Sequence, residues 1–526
     1  MINKFIFFFK NLVQNFEYKY AFFSGILLVL CLPPFNFWLL LFPSLIFLFL
    51  GSYNAKSNKN AFLIGWFFGL SFFLFGLYWI FNSFLIRSGI FIYFLPICLL
   101  ILSIFLSIFI GLVTLFNYKF KTNLITNIFL FSIFWTFSEI LRGYLFTGFP
   151  WNLLAHSISN FNSLLQICSI FGVYGLSFFT IYFILSIGIF ILFFNKKKRY
   201  FLFITSLSLL ISVFFYGELR LKNLNLEEFD SSVFRIVQPN ISQKDKLKSS
   251  KIENNYKKLV DLSFQNKMGS LNKSENLIII WPETSILNTD HLNFYSTFNK
   301  LKNNLKKNEF IISGAFRNEK KNNFYYNSIL VIDKNLSFNF LYDKIHLVPF
   351  GEYIPFGNFF NQIGFNFSSL EKGKKNQKII NYKNIPVFNP LICYEVIFPG
   401  KFIKDENKSI FSINFTNDAW FGNSIGPYQH FNHSIFRAIE EGKHLIRVAN
   451  TGISGSIDPY GRVKNELQLN SLGYFDTKIF VLKKNNKIIK TVYSKYQNNL
   501  IIILLIILLF LVYFLKIKNF KKIRKF

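Results

Sequence analysis

Three residues of this chain have the types and settings that covalent acyl transfer requires. Cys393 ends the apolar run Pro390-Leu391-Ile392 and precedes Tyr394-Glu395. Glu283 follows Ile278-Ile279-Ile280-Trp281-Pro282. Lys344 closes the run Phe338–Asp343 ahead of His346-Leu347-Val348-Pro349-Phe350-Gly351-Glu352. A thiolate both attacks a carbonyl and leaves from it, and the thioester formed in between stays reactive toward an amine. A free thiol has a pKa of about 8.5, so a neighbouring cation is needed to hold it ionised near neutral pH. Lys344 is the candidate cation. Glu283 can carry the thiol proton and then the amine proton. Singly, these are a turn carboxylate, a surface lysine and a core cysteine. Placed at three strand ends, they can converge on one sheet edge.

The elements that must position them lie between residues 232 and 480. Val233–Gln238, Leu277–Trp281, Phe310–Ala315, Asn327–Ile332, Leu391–Tyr394, Ile410–Phe415 and Leu445–Ala449 read as buried strands. Asp290–Lys307 and Tyr428–His444 read as helices. This alternation predicts an α/β sandwich, which by itself names no activity.

The rest of the chain belongs to a different solvent. Of its 526 residues 52% are hydrophobic and 20% aromatic, and they concentrate in residues 5–216 and 498–515. A bilayer core needs roughly 20 helical residues, so a polytopic α-helical region of about eight spans is expected. The candidates are residues 20–33, 35–51, 60–82, 89–116, 123–141, 164–194, 198–217 and 497–515, with Pro33-Pro34 turning a hairpin between the first two. The first stretch reads as a retained span, not a cleaved signal peptide. Lys4, Lys10 and Lys19, then Lys56 and Lys59, Lys119 and Lys121, the run Lys196 to Arg199, and the tail Lys516 to Lys525 mark alternate loops. The opposite short loops offer little beyond Arg87 and Arg142. By the positive-inside rule both termini are cytoplasmic and residues 218–496 face outward. The expected divisions are a membrane region at 1–217, an outer domain at 218–496, and a closing helix with a basic tail at 497–526.

The net charge of +31 comes from scattered lysines in a Lys/Asn/Ile/Phe-rich chain, the bias of an AT-rich genome, and no nucleic-acid signature accompanies it. Cys31, Cys98 and Cys168 lie in apolar segments and read as small buried hydrophobes. No second cysteine stands near Cys393 in the outer domain to form a disulfide. His430 and His433 have ligand-like spacing without a supporting carboxylate motif, which predicts a helix-surface pair. Few ionisable groups enter the spans, which argues against a transporter. In the loop Glu139–Asn162, Glu139, Arg142 and Gly148-Phe149-Pro150-Trp151 read either as interfacial anchors or as part of a site.

Residues 232–480 resemble the nitrilase superfamily, whose members carry a Glu-Lys-Cys triad on an αββα sandwich. The resemblance rests on Trp281-Pro282-Glu283, on Lys344 with the segment through Glu352, on Cys393-Tyr394-Glu395, and on Asn417-Asp418-Ala419-Trp420-Phe421-Gly422. Such a domain after seven spans and before one more, with Gly148-Phe149-Pro150-Trp151 ahead of it, is similar to the apolipoprotein N-acyltransferase family. The resemblance implies Cys393 as nucleophile, Glu283 as general base and Lys344 as stabiliser of thiolate and oxyanion. Glu352 is implied as a supporting carboxylate, with Tyr394 and Glu395 shaping the pocket. It further implies a phospholipid acyl donor, an apolipoprotein acceptor, no metal or cofactor, a bacterial inner-membrane location and a monomer as the favoured form. The alternative reading is a membrane-tethered amidase for a small substrate. Lifting an acyl chain into water costs about 0.8 kcal/mol per methylene, so the chemistry should occur at the bilayer surface. Phe350, Tyr353, Phe356, Phe359, Phe360, Phe365 and Phe367 after Lys344 read either as a lid on the lipid or as an ordinary loop.

Overall fold

The chain divides into two units, residues 1–224 with 491–526, and residues 225–490. The computed structural model describes residues 18–87, 91–192, 197–222, 226–246, 248–266, 276–287, 296–319, 324–355, 369–401, 409–484 and 487–523.

The first unit is helical. Asn58–Gly76, Pro96–Lys119, Leu124–Tyr144, Cys168–Leu192 and Tyr200–Lys222 are long and apolar enough to cross a membrane. The shorter apolar helices Tyr18–Leu30, Trp38–Tyr53 and Asn499–Phe514 fall on the remaining expected spans. The span expected at 60–82 instead stops at Gly76, and a separate helix runs Ile80–Arg87. Asn152 Nδ2 takes the Gly76 carbonyl at 3.2 Å, a bond suited to the last turn of a helix. The segment expected at 164–194 is broken at Gly172, where φ is +68° and the Tyr493 ring occupies the space of a Cβ. Glu139 and Arg142 are buried. Glu139 Oε1 accepts from Trp135 Nε1 (3.0 Å) and Leu154 N (2.8 Å), while Arg142 Nη1 donates to the carbonyls of Phe149 (2.7 Å) and Trp151 (2.6 Å). The Gly148–Trp151 loop is thus braced inside this unit, with Trp151 packed on Trp79.

The second unit is the sandwich. Its strands are β1 (Leu226–Gln238), β2 (Asn276–Ile286), β3 (Phe310–Glu319), β4 (Phe324–Ile332), β5 (Phe338–Asp343), β6 (Ile380–Tyr382), β7 (Ile385–Ile392), β8 (Phe411–Thr416), β9 (His444–Ala449), β10 (Ser454–Ile457), β11 (Val463–Leu467), β12 (Gly473–Lys484) and β13 (Lys487–Ile488). One sheet has the order β13-β12-β1-β2-β3-β4-β5 and the other β11-β10-β9-β8-β7-β6. Strands β1, β2 and β3 pair in parallel, as do β7, β8 and β9. The alternation of side chains along a strand sets the layers. Ile278 and Ile280 point into a core shared with Phe388, Ile392, Ile413 and Ile446 of the facing sheet. Leu277, Ile279 and Trp281 point the other way, against Tyr256, Leu259 and Val260 of the helix Ile252–Phe264. On the outside of the second sheet lies the helix Gly426–Glu441, whose Phe431 packs where Gly455 of β10 has no side chain. The result is αββα.

Three sequence expectations shift. The helix expected to run to His444 stops at Glu441, because Gly442 adopts φ +63° as a left-handed cap and β9 begins at His444. The strand expected over Leu391–Tyr394 ends at Ile392, and Cys393 opens a 3₁₀ turn. Of the helix expected at 290–307, Ser296–Asn304 is helical.

Candidate active site

Of the three sequence-predicted residues, Glu283 lies within β2 near its end, while Lys344 and Cys393 directly follow β5 and β7. Glu283 sits in β2 where its pairing with β3 breaks between Trp281 and Ile286. The next residue, Thr284, has φ +49°, unusual for a β-branched side chain. Gly314 of β3 makes room for this corner, since a Cβ there would lie 2.5 Å from Glu283 Cα. Lys344 follows β5, and its backbone N–H donates to Asn327 O at 2.8 Å. Cys393 follows β7 with φ +48°, which turns its side chain out of the strand's alternation.

These positions bring the charges together. Lys344 Nζ donates to Glu352 Oε1 at 2.8 Å and lies 3.5 Å from Glu283 Oε1. Asn327 Nδ2 bridges the same carboxylates, at 2.8 Å to Glu283 and 3.1 Å to Glu352. Glu352 is fixed from behind by the backbone N–H of Val348 at 2.8 Å. Burial disfavours the Lys344 ammonium, but Glu352, Glu283 and Cys393 outweigh it and the pKa rises, so the lysine stays charged. The Cys393 sulfur is close enough to Glu283 and Lys344 to interact electrostatically with both. Burial pushes the Cys393 thiol well up, Glu283 adds to this, and Lys344 opposes it without winning. The lysine's charge is shared between two carboxylates.

Glu395 braces the site. Its carboxylate accepts from the backbone N–H groups of Ile392 (2.8 Å), Ile345 (2.8 Å) and His346 (3.0 Å) and from the Tyr342 hydroxyl (2.9 Å). It therefore ties the end of β7 to the lysine segment. Tyr394 packs with Phe398 and His346 at ring separations of 5.1 and 5.8 Å. Of the aromatic segment after Lys344, Phe350 is 63% exposed and Tyr353 O accepts from Phe350 N at 2.7 Å. Phe356, Phe359, Phe360, Phe365 and Phe367 lie outside the described residues.

His430 and His433 are not on a helix surface. Both are fully buried in the helix Gly426–Glu441. His430 Nδ1 meets Asp418 Oδ1 at 2.7 Å, Arg447 Nη2 meets Asp418 Oδ2 at 2.7 Å, and His430 Nε2 reaches Cys393 O at 3.2 Å. Three further residues escaped sequence reasoning. Asn327 bridges the carboxylates, and Thr416 places Oγ1 3.3 Å from Cys393 Sγ. Lys246, also buried, donates to Glu283 O at 2.9 Å and Thr284 Oγ1 at 2.6 Å. Thr416 and Asp418 adjoin or belong to the 417–422 segment already singled out, so that signal was available. Lys246 is one lysine in a run of Lys244, Lys246 and Lys248, and nothing in the run distinguishes it.

Comparison with known proteins agrees with this geometry in both units. Residues 24–186 match the family model described as "Apolipoprotein N-acyltransferase N-terminal domain", and residues 235–480 match that of "Carbon-nitrogen hydrolase". The chain is 33% identical over 477 residues to the apolipoprotein N-acyltransferase of Rhodopseudomonas palustris, covering 87% of this chain and 88% of that one. It is 34% identical over 461 residues to the Rickettsia prowazekii protein of the same name, covering 85% and 88%. With the Rickettsia bellii protein it shares 34% over 474 residues, covering 88% and 90%. Similarity at this level, running through helices and sandwich alike, means that the chain belongs to the apolipoprotein N-acyltransferase family.

Proposed function

We propose that this enzyme takes an acyl chain from a membrane phospholipid onto Cys393 and passes it to the N-terminal amine of a diacylglyceryl-modified lipoprotein. The observation that carries the reading is the convergence of Glu283, Lys344 and the Cys393 thiol at the ends of β2, β5 and β7. Glu283 accepts the thiol proton as the sulfur attacks the ester carbonyl. The oxyanion forms beside Lys344, a placement commonly worth a few kcal/mol in the barrier. On collapse the ester C–O bond breaks, and Glu283 returns the proton to the departing lysophospholipid. In the second half the α-amine attacks the thioester and gives its proton to Glu283. The C–S bond then breaks and the thiolate recovers that proton. Glu352 and Asn327 keep Lys344 from closing onto Glu283, so the base stays available.

The placement we propose is a multi-pass inner-membrane protein with both termini cytoplasmic. Residues 218–496 form a periplasmic catalytic domain between helices at 1–217 and 497–526, on the loop-charge argument. Both acyl tails then stay in lipid during transfer.

The test is incubation of the purified full-length protein with phospholipid carrying a labelled acyl chain, followed by mass analysis of the Cys393 peptide. A shift of one acyl chain, discharged by a lipoprotein-like diacylglyceryl peptide and lost in Cys393→Ser, is expected. Continued transfer by Cys393→Ser would overturn the reading, and a thioester formed only with small amides would favour the amidase.

A further inference from the structure

Thr416, the last residue of β8, is buried and carries one hydroxyl hydrogen between two acceptors. Its Oγ1 lies 3.3 Å from Cys393 Sγ and 3.3 Å from Asp418 Oδ1. A single hydroxyl hydrogen cannot serve both at once. Asp418 is a carboxylate throughout. Burial works against its charge, but Arg447 and His430 outweigh burial and hold its pKa at about 2. Beside a neutral thiol the carboxylate is the stronger acceptor, and the S–H can point at Thr416 Oγ1. Beside a thiolate the balance changes, because the sulfur then carries a full charge and Asp418 still has His430 and Arg447 as partners.

We propose that Thr416 is a catalytic residue whose hydroxyl donates to Asp418 while Cys393 is a thiol or thioester, and turns to donate to the sulfur whenever it is a thiolate. The inference rests on the acyl-enzyme cycle proposed above, in which a thiolate appears once on entry and once on release. No proton leaves Thr416. The thiol proton goes to Glu283, and the hydroxyl only rotates about its C–O bond. The other groups acting on the sulfur are Glu283, Lys344, Lys246 and Asp418, with His430 on the Cys393 carbonyl. Among these cations, Lys344 is shared with two carboxylates and Lys246 is bonded to Glu283 O and Thr284 Oγ1. Among the described residues, the Thr416 hydroxyl lies within bonding distance of the sulfur.

The test reads thiolate formation directly. Full-length protein in nanodiscs is treated with iodoacetamide from pH 6 to 10, and alkylation is followed on the Cys393 peptide so that Cys31, Cys98 and Cys168 do not interfere. Thr416→Val keeps the shape and loses the donor, and should slow alkylation at fixed pH about 10- to 100-fold. Thr416→Ser should recover to within a few-fold of the native rate. Asp418→Asn removes a negative charge and supplies an amide donor to Thr416 Oγ1, which frees the hydroxyl for the sulfur. Alkylation should then be faster than in the native protein. A structural role alone would loosen the site and speed alkylation in both Thr416→Val and Asp418→Asn. Since Asp418→Asn strips Arg447 of its partner, the Thr416 pair, which keeps every charge, carries the decision. A Val variant alkylated at or above the native rate, with a native unfolding midpoint, overturns the inference. If it does so while Cys393 is still acylated by phospholipid, the acyl-enzyme reading stands and only the role of Thr416 fails. Transfer that survives Cys393→Ser sinks the cycle itself.

Discussion

Lys246 offers a test whose sign follows from the structure. Its ammonium is buried, bonded to Glu283 O and Thr284 Oγ1, and burial lowers its pKa to about 8 against the upward pull of Glu283 and Cys393. An unfolded lysine titrates near 10.4. Between pH 8 and about 10.4 the unfolded chain therefore holds more protons than the folded one, and stability rises with pH across that window. At about 1.4 kcal/mol per unit, the gain approaches 3 kcal/mol. Lys246→Met removes this dependence. It also leaves a carbonyl and a hydroxyl without their donor, at about 1–3 kcal/mol each. Those losses are of the same size as the relieved burial penalty, so the unfolding midpoint at pH 7 should change little. Turnover should fall at least tenfold, because the left-handed corner at Thr284 loses the clamp that aims Glu283. The assay is thermal unfolding in detergent from pH 7 to 10.5, with acyl transfer measured at pH 7. The native midpoint should climb relative to the variant above pH 8. Parallel curves would refute the buried-ammonium reasoning, and undiminished turnover would refute the clamp.

Glu352→Ala should cost at least a hundredfold in acyl transfer, since Lys344 then has Glu283 as its remaining carboxylate at 3.5 Å and closes onto the base. Steady-state kinetics should place the loss in kcat, and breaking a buried pair should lower stability by about 3–5 kcal/mol. Gly314→Ala drives a methyl into the Glu283–Thr284 backbone, with Thr284 N 2.7 Å from the new Cβ, and should destabilise by about 1–3 kcal/mol and impair turnover together. His444 is buried, which with Lys464 nearby lowers its pKa to about 3. From pH 6.5 down to 3 the unfolded chain binds a proton the folded chain refuses, so stability drops by up to about 1.4 kcal/mol per unit there. His444→Gln should flatten that acid limb in unfolding curves.

The strand ends bearing Glu283, Lys344 and Cys393 were legible because β2, β5 and β7 are apolar runs bounded by polar residues. The membrane helices were legible for the same reason, at greater length. What escaped was whatever depends on partners distant along the chain. Strands β10 and β11 are short and carry mainly small, polar or charged residues, and they form because β9 lies beside β10 and β10 beside β11. His430 looked like a surface residue because its helix carries Gln429, Asn432, His433 and Arg437 as well. All of these side chains are buried. Lys246 is conspicuous only once Glu283 O is known to lie 2.9 Å away.

Glu283 and Cys393, the proposed base and nucleophile, are attached to different sheets, and each sits at a left-handed corner without glycine. Thr284 has φ +49° and Cys393 has φ +48°. Conformations of this kind cost on the order of 1–3 kcal/mol each and persist only where surrounding contacts impose them. Lys246 imposes the first, with Gly314 leaving the room for it. At the second, Asn414 Nδ2 and His430 Nε2 both approach the Cys393 carbonyl, at 3.3 and 3.2 Å. A glycine at Cys393 would relax the backbone but would remove the thiol, and one at Thr284 would remove the hydroxyl that Lys246 holds. The buried lysine, the aspartate–histidine pair and the cysteine's turn are thus one arrangement. Polar groups that would be a liability in an apolar core hold two strained corners, and the corners hold a carboxylate and a thiol within reach of each other.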